Sequence, residues 1–422
     1  MSIRRDYSRN FFHKRRRSWG RIWFILAFFA LIIGFLLYVS ANYSRLQLAA
    51  LDQIGLAPTA TPFASNYAVW GVEALAAGDI DEARAMFEQA VAQRPNNVDY
   101  LTEYGNLLIE AGDVELAQTI GQQAIDAAPD DPRGYAVLGR ALMYSEPAQA
   151  IQVTIRGQEA DENYPPLLAV QGVAYTQLGR FQEGLRQTLR SIELAPDDPF
   201  VLRAAFTPMV YVGRYQDAAD YLTQAISLNP NITAPYFELA ALYNIQQPAI
   251  YQPELTVALY NRILEIDPES ARANLRLCQT YATVQDADFA LAEPFCQRAL
   301  QIDPTDGEIY MTLGRMQYNR RNYEGSIESF ETCQQLSGDE HIECFYLRGL
   351  AHYWLAECDA SWDLLTEAQQ MAVDRNAGAG VTNTIEIGLF NITERCPGYQ
   401  DFTPPTPLPP TEIPPTPIGG FS

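Results

Sequence analysis

The chain has 422 residues, 48% of them hydrophobic, which suits two or three ordinary domains or one long repeat array. Its net charge of -22 is uneven: residues 1–21 carry +7 and the remainder -29, and so acidic a body repels phosphate backbones and argues against a nucleic-acid partner. Lys14 is the sole lysine, so the body lacks the amine that a phosphate-binding loop, a kinase or a Schiff-base enzyme requires.

The first predicted element is a transmembrane signal-anchor helix over residues 22–44, which contain no charged side chain. Its most apolar part, Ile22 to Val39, would span about 27 Å as a helix, close to the ~30 Å apolar thickness of a bilayer. Trp19, Trp23, Tyr38 and Tyr43 sit near its ends, where aromatic rings favour the interface. Lys14, Arg15, Arg16, Arg17 and Arg21 precede it and only Arg45 follows closely. Positive charge stays cytoplasmic, so the expectation is a single-pass protein with residues 1–21 as a basic cytoplasmic N-terminus and the body extracytoplasmic. A cleaved signal peptide, cut near Val39-Ser40-Ala41, is the alternative, and it too exports the body. Residues 45–63 read as a linker, with Ala-Pro-Thr-Ala-Thr-Pro-Phe at 57–63.

Residues 64–375 repeat. Gly71, Gly105 and Gly139 are spaced by 34, as are Ala83 and Ala117, Ala90 and Ala124, Pro95 and Pro129, Gly184 and Ala218, and Pro196 and Pro230. Glycine before a polar residue recurs at Gly78-Asp79, Gly112-Asp113, Gly179-Arg180 and Gly213-Arg214. Small residues allow two helices to approach, glycine turns the chain, and proline ends the second helix. Residues 64–375 divide into about nine units, beginning near 64, 98, 132, 165, 199, 233, 271, 307 and 342. The third has Ser145-Glu146-Pro147 at its turn, and the sixth and seventh are long, with Pro230, Pro268 and Pro304 spaced by 38 and 36.

This pattern resembles the tetratricopeptide-repeat (TPR) family, with small residues at unit positions 8, 20 and 27, an aromatic near 24 and proline at 32. Gly71, Ala83, Phe87, Ala90 and Pro95 fill those places in the first unit, and Gly314, Ser326, Phe330 and Cys333 in the eighth. The resemblance implies an all-α helical-hairpin solenoid, a right-handed superhelix whose first helices line a concave groove. Unit positions 2, 5, 9, 12 and 13 would then face a partner. They map to Arg133, Arg140, Met143, Tyr144, Arg203, Thr207, Val210 and Tyr211, and further along to Phe237, Asn244, Arg272, Leu275, Met311, Arg315 and Tyr318. Arginine pairs with carboxylates and tyrosine gives rigid contact area, so the expected ligand is an extended, acid-bearing peptide or loop. The alternative is that these arginines pair with acids of adjacent units. Asn106 matches one position of a lysine–asparagine clamp for a terminal carboxylate, but the lysines that clamp needs are missing.

Six cysteines, Cys278, Cys296, Cys333, Cys344, Cys358 and Cys396, lie in the C-terminal half of the chain. Disulfides persist in an exported body, and six cysteines allow about 15 pairings. The repeat model favours sequential pairing, with free buried thiols as the alternative. His341, Cys344, His352 and Cys358 do not read as a zinc site, because Cys344 and His352 lie about 12 Å apart along one helix. His352 replaces an aromatic and reads as a core histidine. Asn231-Ile232-Thr233 and Asn391-Ile392-Thr393 are glycosylation sequons.

Residues 376–402 hold a helix, near 381–394, expected to cover the open end of the last unit. The Pro/Thr-rich tail, 403–422, carries Pro404, Pro405, Pro407, Pro409, Pro410, Pro414, Pro415 and Pro417 and favours polyproline II. It reads as a disordered spacer, a glycosylated stalk or a ligand for a proline-binding groove. The functional expectation is a membrane-anchored adaptor of a bacterial envelope that binds protein and needs no metal, cofactor or small-molecule substrate. A structural envelope protein with a wall-contacting tail is the second reading. An enzyme is the third and weakest, since no segment outside the repeats is long enough for a catalytic domain.

Overall fold

The computed structural model describes residues 19–43, 62–245, 247–282, 288–400 and 403, and contact density divides the chain into residues 1–63 and 64–422. The basic segment before residue 19, most of the 45–63 linker, Gln246 and the tail beyond Thr403 lie outside the described residues. Among those described, every regular element is a helix.

In the first unit, α1 runs from Trp19 to Ala41. Over the described residues alone, no helix is long and apolar enough to cross a membrane. The transmembrane reading of residues 22–44 is not shown by these residues.

The second unit is a run of helical hairpins. In chain order these are α2 (Ala64–Ala77) with α3 (Ile80–Gln93), α4 (Val98–Glu110) with α5 (Val114–Ala127), and α6 (Pro132–Leu142) with α7 (Pro147–Gln158). Next come α8 (Pro165–Gln177) with α9 (Phe181–Leu194), then α10 (Pro199–Ala204) and α11 (Phe206–Tyr211) with α12 (Tyr215–Leu228), then α13 (Ala234–Tyr243) with α14 (Pro253–Ile266). The last are α15 (Ala271–Tyr281) with α16 (Phe289–Ile302), α17 (Gly307–Asn319) with α18 (Tyr323–Ser337), and α19 (Ile342–Trp354) with α20 (Cys358–Asp374), followed by α21 (Ala379–Arg395). Each helix packs on its sequence neighbours, and first helices also touch the next first helix, as in α4 on α6 and α17 on α19. The result is an all-α helical repeat solenoid.

Local chemistry sets these boundaries. Asp79, Asn97, Asp113, Asp131, Asp198, Ser270, Asp288, Asp306 and Asn322 each cap a helix by accepting a backbone N–H, satisfying donors that have no partner inside the helix. The hairpin turns need a left-handed residue, supplied by Gly78, Gly112, Gly179 and Gly213 at φ 87, 84, 75 and 78°. Arg321 and Ala356 hold the same turn position in units eight and nine at φ 62 and 61°, without glycine's freedom. Inside hairpins the small residues permit contact: a Cβ on Gly71 would lie 2.9 Å from the Phe87 ring, and one on Gly314 2.6 Å from Phe330.

The fifth unit departs from the expected pattern, because its first helix is broken between Ala204 and Phe206. Pro208 explains the break. It donates no N–H, and its ring collides with the carbonyl four residues earlier, at Ala204, where α10 ends. At the far end, α21 buries Ile385, Leu389 and Ile392 against Leu365 and Ala368 of α20. The cysteines pair Cys278–Cys296, Cys333–Cys344 and Cys358–Cys396, with Cα–Cα distances of 5.2, 6.3 and 5.9 Å. His352 departs in part from the core reading: its ring is largely enclosed, yet Nδ1 lies 2.5 Å from Glu357 Oε2.

Candidate protein-binding groove

The first helices α4, α6, α10 and α13 converge on a cavity of about 420 Å³ lined by Asn106, Glu110, Arg133, Arg140, Phe200 and Arg203. Glu110, at the C-terminal end of α4, sits between two guanidinium groups: Arg140 Nη2 donates to its Oε1, and Arg203 Nη1 donates to Oε1 and Oε2 at 2.9 and 2.7 Å. Arg203 continues the chain of charge to Glu238 Oε1, from Nε at 2.9 Å and Nη2 at 2.8 Å. Arg140 also donates to Asn106 Oδ1 at 3.2 Å and stacks over the Phe200 ring at 4.2 Å. Its side chain is only 8% exposed, so this guanidinium is largely removed from water and depends on its partners.

The two carboxyls of the cluster are pushed in opposite directions. Burial raises Glu110, but the Arg203 and Arg140 charges and hydrogen bonds outweigh it and hold the group below the usual carboxylate range. Burial dominates at Glu238 and pushes it up, since only Arg203 bonds it directly and the Glu110 charge repels it. Glu238 Oε2 is buried with no hydrogen-bond partner.

The repeat pattern carries no sign that the array closes around this cavity. Glu110 and Arg203 are 93 residues apart in sequence, and Asn231 Nδ2 donates to the Ala76 carbonyl at 2.7 Å across 155 residues. The end of the fifth unit thus touches the turn of the first. At that contact a Cβ on Gly78 would stand 3.2 Å from the Asn231 carbonyl and 3.3 Å from Ile266.

The remaining groove positions are more varied. Arg133 bonds Asp99 at 2.7 Å and Asp131 at 2.7–3.1 Å. Tyr144 is 53% exposed and lies beside the cluster, close to the Glu238, Arg203 and Arg140 charges. Met143, Leu275 and Met311 are buried, so they serve packing. Tyr211 stacks on Phe181 at 5.6 Å, half-buried Val210 packs against the core of the fifth unit, and Asn244 is exposed at the end of α13. Phe237 is buried beneath Arg272, whose guanidinium stands 4.4 Å from the ring centre. Arg272 and Arg315 are both exposed, and among the described residues neither has a carboxylate at ion-pair distance.

The groove arginines therefore form two sets: Arg133, Arg140 and Arg203 are paired within the chain, while Arg272 and Arg315 are not. Glu110 and Glu238 escaped the sequence reading. The signal for Glu110 was present, because the groove positions of the second unit are Asp99, Thr102, Asn106, Ile109 and Glu110. Glu238 lies at position 6 of its unit, outside that pattern.

Residues 74–141, from α2 into α6, match the family model of the tetratricopeptide repeat. The chain is a helical repeat protein that matches the TPR family over these residues. Among solved structures, a monomeric mutant of IFIT1 with m7Gppp-AAAA is 14% identical, with a TM-score of 0.54, over 88% of this chain and 89% of that one. At that identity the likeness concerns the fold alone. TTC0263, a thermophilic TPR protein of Thermus thermophilus, is 22% identical with a TM-score of 0.36, over 48% of this chain and 99% of its own. Pseudomonas aeruginosa pilF is 17% identical with a TM-score of 0.36, over 50% of this chain and 94% of its own.

Proposed function

We propose that the chain is a membrane-anchored, extracytoplasmic TPR scaffold that holds an acid-bearing protein segment in its groove. The observation that carries the ligand reading is the exposed, unpaired state of Arg272 and Arg315 on successive first helices, α15 and α17. In a body of charge -29, two guanidinium groups without carboxylates are places where a partner's acids gain most. Arg272, fixed over Phe237, loses little side-chain freedom on binding. Arg140 and Arg203, by contrast, already hold Glu110 and Glu238 and act as structure. This moves the contact from the centre of the groove toward its C-terminal half.

Anchoring rests on the uncharged run from Ile22 to Ser44 and the basic residues before it. Orientation and anchoring are tested together by digesting intact cells with a protease and washing their membranes at alkaline pH. The proposal requires a body that is accessible from outside and resists extraction. For the groove, crosslinking in intact cells is compared between the native chain and the variant Arg272→Glu with Arg315→Glu. The charge reversal should remove a specific crosslinked protein that Arg140→Met leaves in place. The same crosslinks from both variants would sink the assignment.

A further inference from the structure

Four aromatic rings cluster where α17 and α19 end and α18 begins. Trp354 Nε1 donates to the Tyr318 hydroxyl at 2.9 Å, and the Trp354 ring stacks on Tyr323 at 5.9 Å and 11°. Tyr318 meets Tyr323 edge-on at 5.5 Å, and Tyr353 meets Trp354 in the same way at 5.5 Å. The platform is held by its own contacts, yet Trp354 remains 53% exposed. A rigid, half-exposed aromatic surface of this kind favours an apolar, extended ligand with little entropy to lose.

The end of the chain is fastened close by. Cys358, four residues after Trp354, is bonded to Cys396, and Tyr399 packs on Trp362 at 5.1 Å and donates to Asp359 at 2.8 Å. The last run of described residues before the tail is therefore held at the first turn of α20, and four residues separate Trp354 from that point by at most about 14 Å. The sequence that follows, 404–422, has eight prolines and one charged residue, Glu412. At about 3.1 Å per residue in polyproline II, its first proline groups are long enough to span that distance.

We infer that the Pro/Thr tail docks on its own chain's Tyr318–Tyr323–Tyr353–Trp354 platform as a polyproline II segment. Aromatic surfaces recognise this conformation because it is extended before binding. Tethering supplies an effective concentration on the order of millimolar, so weak affinity is enough. A docked tail covers the exposed indole and stays folded back on the last repeats.

The test uses the full chain in detergent, labelled with 5-fluorotryptophan, with the Trp354 fluorine resonance assigned from W354F. Stopping the chain after Thr403 should move the Trp354 resonance and leave that of Trp70, in α2, in place. A synthetic peptide of residues 404–422 should restore it, and Pro407→Ala with Pro409→Ala and Pro410→Ala should mimic the truncation. Recovery of the resonance on adding the peptide shows that the truncated body is folded, so misfolding does not confuse the result. An unmoved Trp354 resonance would overturn the inference. So would a shift that appears only as protein concentration rises, which would assign the platform to the tail of a second copy.

Discussion

Glu110 shows how much of this groove hangs on one side chain. It neutralises Arg140, which is almost wholly buried, and shares Arg203 with Glu238. Glu110→Ala should destabilise the body by about 3–5 kcal/mol in denaturant unfolding, because it leaves buried charge uncompensated. Glu110→Gln should also alter the acid limb of the stability profile. The folded group sits below its ordinary value, so its contribution is present above the unfolded value of about 4.3 and is lost as pH falls through the folded one. Glu238 has the opposite sign, being raised in the fold. Its contribution is present below the unfolded value and fades as pH rises through the folded one. Glu238→Gln should therefore flatten stability on that higher side, as read from unfolding midpoints across pH. Arg140 and Arg203 were legible as groove positions from their place in the repeat. Their partners were not, because pairing depends on which helices meet across the cavity.

Among the elements, the hairpins differ in how they turn. Arg321 and Ala356 adopt the left-handed conformation where earlier units have glycine. Relieving that strain with Arg321→Gly or Ala356→Gly should stabilise by about 0.5–1 kcal/mol, the balance of left-handed strain against glycine's extra chain entropy. Gly314→Ala should do the reverse, costing about 1–3 kcal/mol as the Phe330 ring is forced aside; both are measured by denaturant midpoint. The disulfides close sequence separations of 18, 11 and 38 residues, which the chain-entropy account values at about 3 kcal/mol for the shorter two and about 4 for the longest. Reduction should accordingly raise amide exchange in α15 to α21 and leave α2 to α9 protected. The sequential pairing was readable because two bridges join helices that the repeat already places side by side and the third ties α20 to the end of the helix that follows it. The break before Pro208 had a visible cause in the proline, yet the periodic pattern of the fifth unit hid it.

At the scale of the whole repeat body, the contact of Asn231 with Ala76 brings the fifth unit back against the first, beside the cavity. Gly78→Val should pry this contact apart, since the new side chain would meet the Asn231 backbone and Ile266 and favour another φ. Hydrogen exchange should then rise near residues 74–80 and 229–232 while α17 to α20 stay unchanged. A glycan on Asn231 would have the same effect, because its amide nitrogen is spent on Ala76.

The sequence by itself determined the helical hairpin, its 34-residue step, the caps and turns, and the neighbours each cysteine would find. All of these are local: they depend on residues within one unit or the next, and small side chains, prolines and glycines mark them directly. Only the tertiary structure decided that the fifth unit returns to the first, that Glu110 bridges two arginines, and that Arg272 and Arg315 have no acid at ion-pair distance among the described residues. Those outcomes follow from the summed small rotations between successive units, and no single repeat encodes that sum.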